Sequence, residues 1–177
     1  AAASIGAAFL LAWSSTRPAG AAEPVPAGVP IVAMCAPDEP GERLEFFGQV
    51  LDENGRPLPR ASIIAYNTDA AGLYNPPGSP NRNPRICGVA VTDDDGWYRF
   101  STIRPGAYPN AQDPAHIHLH IDAAVHQHTY VTFWFEGDPL ITPAKRRSLD
   151  RETVIVTLHR SDMGAWTFRH DIRLRGS

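Results

Sequence analysis

The sequence predicts an all-β protein: a β-sandwich of antiparallel or mixed sheets with long active-site loops. Three observations carry that expectation. Short runs of β-branched and aromatic residues recur along the chain, clusters of Gly, Pro, Asn and Asp separate them, and no amphipathic helix of ordinary length lies between. The 177 residues fit one domain, and 43% hydrophobic with 20% charged residues is ordinary for a globular chain.

Residues 1–13 are apolar, and Arg17-Pro18-Ala19-Gly20-Ala21-Ala22-Glu23 supplies the small-residue pattern of a signal-peptidase site. The expectation is a signal peptide over 1–21, open to truncation at its start because no initiator Met is present, and export to the periplasm or the exterior. The apolar stretch is shorter than the about 20 residues a span needs, so no stable membrane span is expected after leader cleavage. Residues 22–43, rich in Pro, Gly and Ala, read as an extended lead-in, and 44–177 as the domain. Cys35 and Cys87 are the only cysteines, and export would permit a disulfide between them that pins the lead-in to the domain; two unpaired thiols are the alternative.

Within the domain, Phe46 to Leu51 and Ala61 to Tyr66 flank Asp52-Glu53-Asn54-Gly55, whose Asn-Gly step supports a hairpin. Gly88 to Thr92 and Trp97 to Ile103 repeat the pattern around Asp93-Asp94-Asp95-Gly96. His116 to Ile121, Tyr130 to Phe135, Thr153 to Leu158 and Trp166 to Leu174 add four strand candidates, and 67–86 and 136–150 are long loops. Loops of that length in a compact domain are often functional, which singles out Tyr74. The net charge is -3, and Lys145-Arg146-Arg147, read as a solvated loop, is the only basic run, so nucleic acid is not an expected partner.

The chemistry concentrates at His116-Ile117-His118-Leu119-His120, with Tyr108 just upstream. Residues i and i+2 of a strand share a face roughly 6.5 Å apart, so two imidazoles can converge on one ion, whereas the outer two of three stand roughly 13 Å apart. One of the three is therefore expected outside the coordination shell. A lone loop Tyr or strand His is ordinarily packing or surface; the ordered set changes that balance.

Ala70-Ala71-Gly72-Leu73-Tyr74, Arg104-Pro105-Gly106-Ala107-Tyr108-Pro109, Pro114-Ala115-His116-Ile117-His118 and Phe135-Glu136-Gly137-Asp138-Pro139 occur in the order seen in intradiol ring-cleavage dioxygenases, and the chain resembles that family from about Leu44 to Leu174. The resemblance implies a non-haem Fe(III) centre held by Tyr74, Tyr108, His116 and His118, with His120 one step beyond. It implies a catechol-type aromatic diol and dioxygen as substrates, Tyr108 leaving the metal and accepting a substrate proton, and a cis,cis-muconate-type diacid as product. An oligomer is compatible with it. Independently of the name, hard anionic phenolates suit ferric iron better than zinc or copper.

Two positions depart from the family pattern. Asp113 stands where Arg usually precedes the first histidine by three residues, which reverses charge beside the substrate ring, and Thr132 stands where Gln is common. Arg82, Arg85 and Arg104 are the candidates to replace the lost cation. Segments 48–58 and 92–100 are also similar to transthyretin-like and carboxypeptidase-regulatory-like modules, which gives a non-catalytic binding module as the alternative; an intradiol fold that holds iron without ring cleavage is a third reading. His120 is expected as an outer hydrogen-bond partner, His126 and His128 as an exposed strand face or a second metal surface. Tyr66, Tyr98 and Tyr130 are expected to pack the sandwich, Tyr66 alternatively lining the substrate opening.

Overall fold

A computed structural model describes residues 27–110 and 112–176. The expected signal peptide over 1–21 lies outside the described residues. The strands are β1 (Val32–Ala33), β2 (Arg43–Leu51), β3 (Ser62–Asn67), β4 (Ile86–Val91), β5 (Trp97–Ile103), β6 (His116–Asp122), β7 (Thr129–Phe135), β8 (Thr153–Val156), β9 (His159–Arg160), β10 (Trp166–Arg169) and β11 (Ile172–Arg173). They form two mixed sheets, one ordered β1-β5-β2-β10-β9 with β11 also on β2, the other ordered β4-β3-β6-β7-β8. The all-β sandwich expectation is met. Among the described residues no helix is long and apolar enough to cross a membrane.

Aromatic cross-strand pairing builds the core. Phe46 on β2 lies opposite Phe100 on β5 and Phe168 on β10, and its ring stacks on theirs at centroid distances of 5.1 and 5.4 Å. Phe133 of the facing sheet meets Phe46 edge-on at 6.1 Å, an arrangement that suits the aromatic quadrupole. Ile117, Leu119 and Ile121 of β6 are fully buried on the inner side of the second sheet. Because side chains alternate along a strand, His116, His118 and His120 project from the other side.

The two expected hairpins are corrected. β2 pairs with β5, and β3 with β4, so each turn carries the chain from one sheet to the other. The Asn54-Gly55 turn does form, with Gly55 at φ 80 and Asp52 Oδ1 accepting the Asn54 and Arg56 N–H groups at 2.8 Å. It closes only the Leu51–Pro57 bridge. The Leu58 N–H still donates to the Val50 carbonyl at 2.8 Å, but the Val50 N–H goes to the Gly96 carbonyl at 2.8 Å and the Arg60 N–H to the Thr92 carbonyl at 3.0 Å, so the ladder ends there and the chain crosses. The single strand expected over Trp166–Leu174 divides into β10 and β11, because the His170 carbonyl turns toward Gly48 and would stand 1.9 Å from any Cβ there.

Two further expectations change. The described lead-in is extended yet packed: β1 pairs parallel with β5 and Met34 is buried. The Cys35–Cys87 bridge is absent, and both thiols are free. The Cys87 N–H donates to the Met34 carbonyl at 3.1 Å, but β4 alternates so that Ile86 and Ala90 face the core while Cys87 faces outward, and Cys35 Sγ instead meets Arg43 Nη1 at 3.7 Å.

Candidate active site

The outer side of the second sheet is laid out in rows. Cys87, Tyr66, His118 and Thr132 align across β4, β3, β6 and β7. One step away His116 pairs with Trp134, and one step the other way Val89, Ile64, His120 and Tyr130 align. Loops carrying Tyr74 and Tyr108 cover the His116 end. The two phenol hydroxyls are in direct hydrogen-bond contact, and the Tyr108 hydroxyl is 3.0 Å from His116 Nε2. The rings of His116 and His118 meet at 4.5 Å. Tyr74, Tyr108, His116 and His118 thus come together at one place, and His120 stays one step outside, its Nε2 3.3 Å from the Tyr66 hydroxyl.

Backbone approach holds the tyrosines together. Gly72, at φ 81, would place a Cβ 1.9 Å from the Ala107 carbonyl, and a Cβ on Gly106 would fall 2.5 Å from the Ala70 carbonyl. Only glycine permits the loops to touch this closely. Thr68 Oγ1 donates to the Gly106 carbonyl at 2.7 Å, and the Gly106 N–H to the Asp69 carbonyl at 2.9 Å.

The imidazoles are oriented by their second nitrogens. His116 Nδ1 lies 2.7 Å from the Pro114 carbonyl, an acceptor only, so Nδ1 carries the proton and Nε2 presents a lone pair. His118 Nδ1 is 3.2 Å from Thr132 Oγ1. Burial, reinforced by His116 and His120, pushes the His118 pKa down to about 4, so it is neutral near pH 7 and able to bind a cation. Burial, then the hydrogen bond with Tyr108, pushes the Tyr74 phenol far above its ordinary value. Only a cation in the cluster can hold that oxygen as phenolate at neutral pH. Among the described residues no three His, Cys, Asp or Glu side chains converge to hold a metal; the donors gathered here are two phenol oxygens and two imidazoles, a set that fits a hard trivalent cation.

Sequence reasoning missed two supports. Asp138 Oδ2 accepts the Ala115 N–H at 3.0 Å and Asp138 Oδ1 the Leu140 N–H at 2.8 Å, fixing the chain as it enters β6; the Glu136-Gly137-Asp138-Pro139 motif was the available signal. Lys145 belongs not to a solvated loop but to a short helix, α1 (Pro143–Arg147), capped by Thr142. Its ammonium lies 5.9 Å from the Trp134 ring centroid and donates to the carbonyl of Gln112, the residue before exposed Asp113. No sequence signal marked it. Arg85 and Arg104 are engaged elsewhere, with Glu39 and Asp69 and with Glu42 respectively, and Arg82 is exposed. Tyr98 is in the core as expected, its hydroxyl donating to the His170 carbonyl at 2.7 Å. Tyr66 and Tyr130 instead lie on the outer side, and His128 bonds Asp122 from the turn before β7.

Arg85 ties the lead-in to the Tyr74 loop through Glu39 at 2.6 Å and Asp69 at 3.0 Å. Hydrogen bonds from Arg85 hold the Glu39 carboxyl below its usual range. Burial pushes Asp69 upward, but bonds from the Leu73 N–H, Arg85 and the Ala71 N–H outweigh it and hold Asp69 low as well. Depressed carboxyl pKa values stabilise the folded state above their unfolded values, and that stabilisation is lost as pH falls through the folded ones. The clasp is therefore expected to open in acid, below about pH 4. Amide exchange over residues 70–85, corrected for intrinsic rates, should speed up at about pH 3 relative to about pH 6; unchanged protection there would exclude this role for Arg85.

A β-sandwich with two tyrosines and two histidines gathered outside one sheet defines the class. The family described as Dioxygenase matches residues 27–176. The chain is 35% identical over 159 residues to the protocatechuate 3,4-dioxygenase beta chain of Burkholderia cepacia, covering 77% of this chain and 66% of that one. It is 30% identical over 162 residues to chlorocatechol 1,2-dioxygenase of Rhodococcus opacus, covering 73% and 63%. The chain thus spans less than two thirds of these relatives' length. Among solved structures, 3-chlorocatechol 1,2-dioxygenase of Rhodococcus opacus superposes with a TM-score of 0.70 at 21% identity, covering 88% of this chain and 70% of that one. The dioxygenase domain of a dioxygenase carbohydrate-binding fusion from Streptomyces sp. SirexAA-E gives 0.65 at 23% identity, covering 91% and 97%. The chain belongs to the intradiol ring-cleavage dioxygenase family.

Proposed function

We propose that the protein is an exported ferric dioxygenase that cleaves a catechol-type diol with dioxygen, between the two hydroxyl-bearing carbons, to a cis,cis-muconate-type diacid. The convergence of Tyr74, Tyr108, His116 and His118 carries this reading. These four residues would hold the iron, which when bound supplies Lewis acidity and a template for the diol. Tyr108 is the residue assigned to proton transfer: its hydroxyl lies between the Tyr74 oxygen and His116 Nε2, so it can leave one partner and retain another. Tyr74, whose ring packs on Tyr66 at 6.0 Å, is assigned to holding the metal throughout.

A second reading, iron binding without ring cleavage, is favoured by Asp113, an acidic residue three positions before His116. Metal analysis, the visible spectrum and oxygen uptake separate the two. Loaded protein should carry about one iron per chain and show a broad tyrosinate-to-iron band, with oxygen consumed when a diol is added. Tyr108→Phe should shift that band and slow turnover; an unchanged spectrum and rate would remove Tyr108 from the site, and a colourless protein that takes up no iron would overturn the assignment.

A further inference from the structure

We propose that the row beyond the histidine pair is a second aromatic subsite, so that the preferred substrate is a two-ring diol whose second ring lies on Ile64, His120 and Tyr130. The inference rests on the diol-binding reading of the neighbouring site. In a sheet with one solvated side, outward positions are ordinarily polar. Here Ile64 is 42% exposed, Val89 59% and Tyr130 44%, all in one cross-strand row with His120.

This row is continuous with the candidate site through ring contacts. Tyr66 meets His118 at 5.0 Å and His120 at 5.5 Å, His120 meets Tyr130 at 4.6 Å, and Tyr130 meets His128 at 4.5 Å. His118 and His120 are one strand step apart, roughly 6.5 Å, so a ring joined directly or by a short linker to a diol seated at His118 reaches this row. Exposed Ile64 and Val89 supply apolar area, and the tyrosine and imidazole edges supply hydrogen-bonding groups for ring substituents. A monocyclic diol would leave the row in water.

The test is anaerobic titration calorimetry of the iron-loaded full chain with catechol and with 4-phenylcatechol, alongside oxygen uptake. The two-ring diol should bind about tenfold more tightly, and Tyr130→Ala should remove most of that gain while leaving catechol affinity within about twofold. Because a larger apolar ligand gains affinity almost anywhere, the variant decides. A gain that survives in both Tyr130→Ala and Ile64→Ser, or an equal loss for both diols, would overturn the subsite. So would a dimer in sedimentation that Val89→Lys converts to monomer, since a second copy would then cover the row. If the preference and its loss are seen without oxygen uptake, the subsite stands and ring cleavage fails. Catechol turnover with no two-ring preference gives the reverse.

Discussion

His116→Ala is expected to eliminate the visible band of the iron-loaded protein and lower diol-dependent oxygen uptake more than about 100-fold, beyond the 10- to 100-fold that loss of a supporting partner costs a metal site. His116 is 7% exposed and holds two positions at once, the Pro114 carbonyl at 2.7 Å and the Tyr108 hydroxyl at 3.0 Å. Alanine removes a metal donor and leaves Tyr108 without one of its two anchors. The Pro114 carbonyl also loses its partner, at a cost of about 1–3 kcal/mol, so the fold should survive and circular dichroism should be unchanged. His120→Ala is the control: its Nε2 reaches Tyr66 rather than the tyrosine pair, and iron content should persist. If His120→Ala loses the iron while His116→Ala keeps it, the assignment of the histidine pair is wrong.

Phe46→Ala is expected to cost about 3–5 kcal/mol, measured as a drop in the urea midpoint at unchanged slope. Its ring is fully buried between Phe100 and Phe168 and capped by Phe133, so truncation opens a void at the meeting point of both sheets. Three aromatic neighbours cannot collapse into it without leaving their own stacked positions. Val91→Thr, on the outer side at 64% exposure, should stay within about 0.5 kcal/mol of the parent. Equal effects from the two substitutions would mean that the inner and outer sides of the sandwich had been misassigned.

What was legible in the sequence was local. The alternation in His116-Ile117-His118-Leu119-His120 encodes both a buried side and a chemical side of β6, because a strand repeats every two residues. Turn chemistry was also legible, but Asn54-Gly55 specifies only a reversal and cannot state which sheet the next strand joins; that follows from β5 taking the edge of β2, with the Val50 N–H on the Gly96 carbonyl. β1 is too short to carry a periodic signal. Asp138 and Lys145 act across the loop before β6, on the Ala115 N–H and over Trp134, and contacts of that kind follow from tertiary packing. The tyrosine pair came from motif order, since no periodicity brings residues 74 and 108 together. Aromatic residues on strands usually pack the core, but the register of Tyr66 beside His118 and of Tyr130 beside His120 puts both outside.

The glycine contact between the two tyrosine loops divides the long 67–86 connection into parts with different freedom to vary. Residues 68–74 are pinned to 104–108, whereas beyond Tyr74 the chain makes an excursion closed at its base by the Arg85 N–H donating to the Tyr74 carbonyl at 3.1 Å. Asn75 Nδ2 ties that excursion to itself through the Asn81 and Asn83 carbonyls. Lengthening a loop whose ends are already fixed costs only about 0.6 kcal/mol per doubling. Insertions and library diversity therefore belong between 76 and 84, where the rim beside Tyr74 can be redrawn while the phenol pair keeps its spacing.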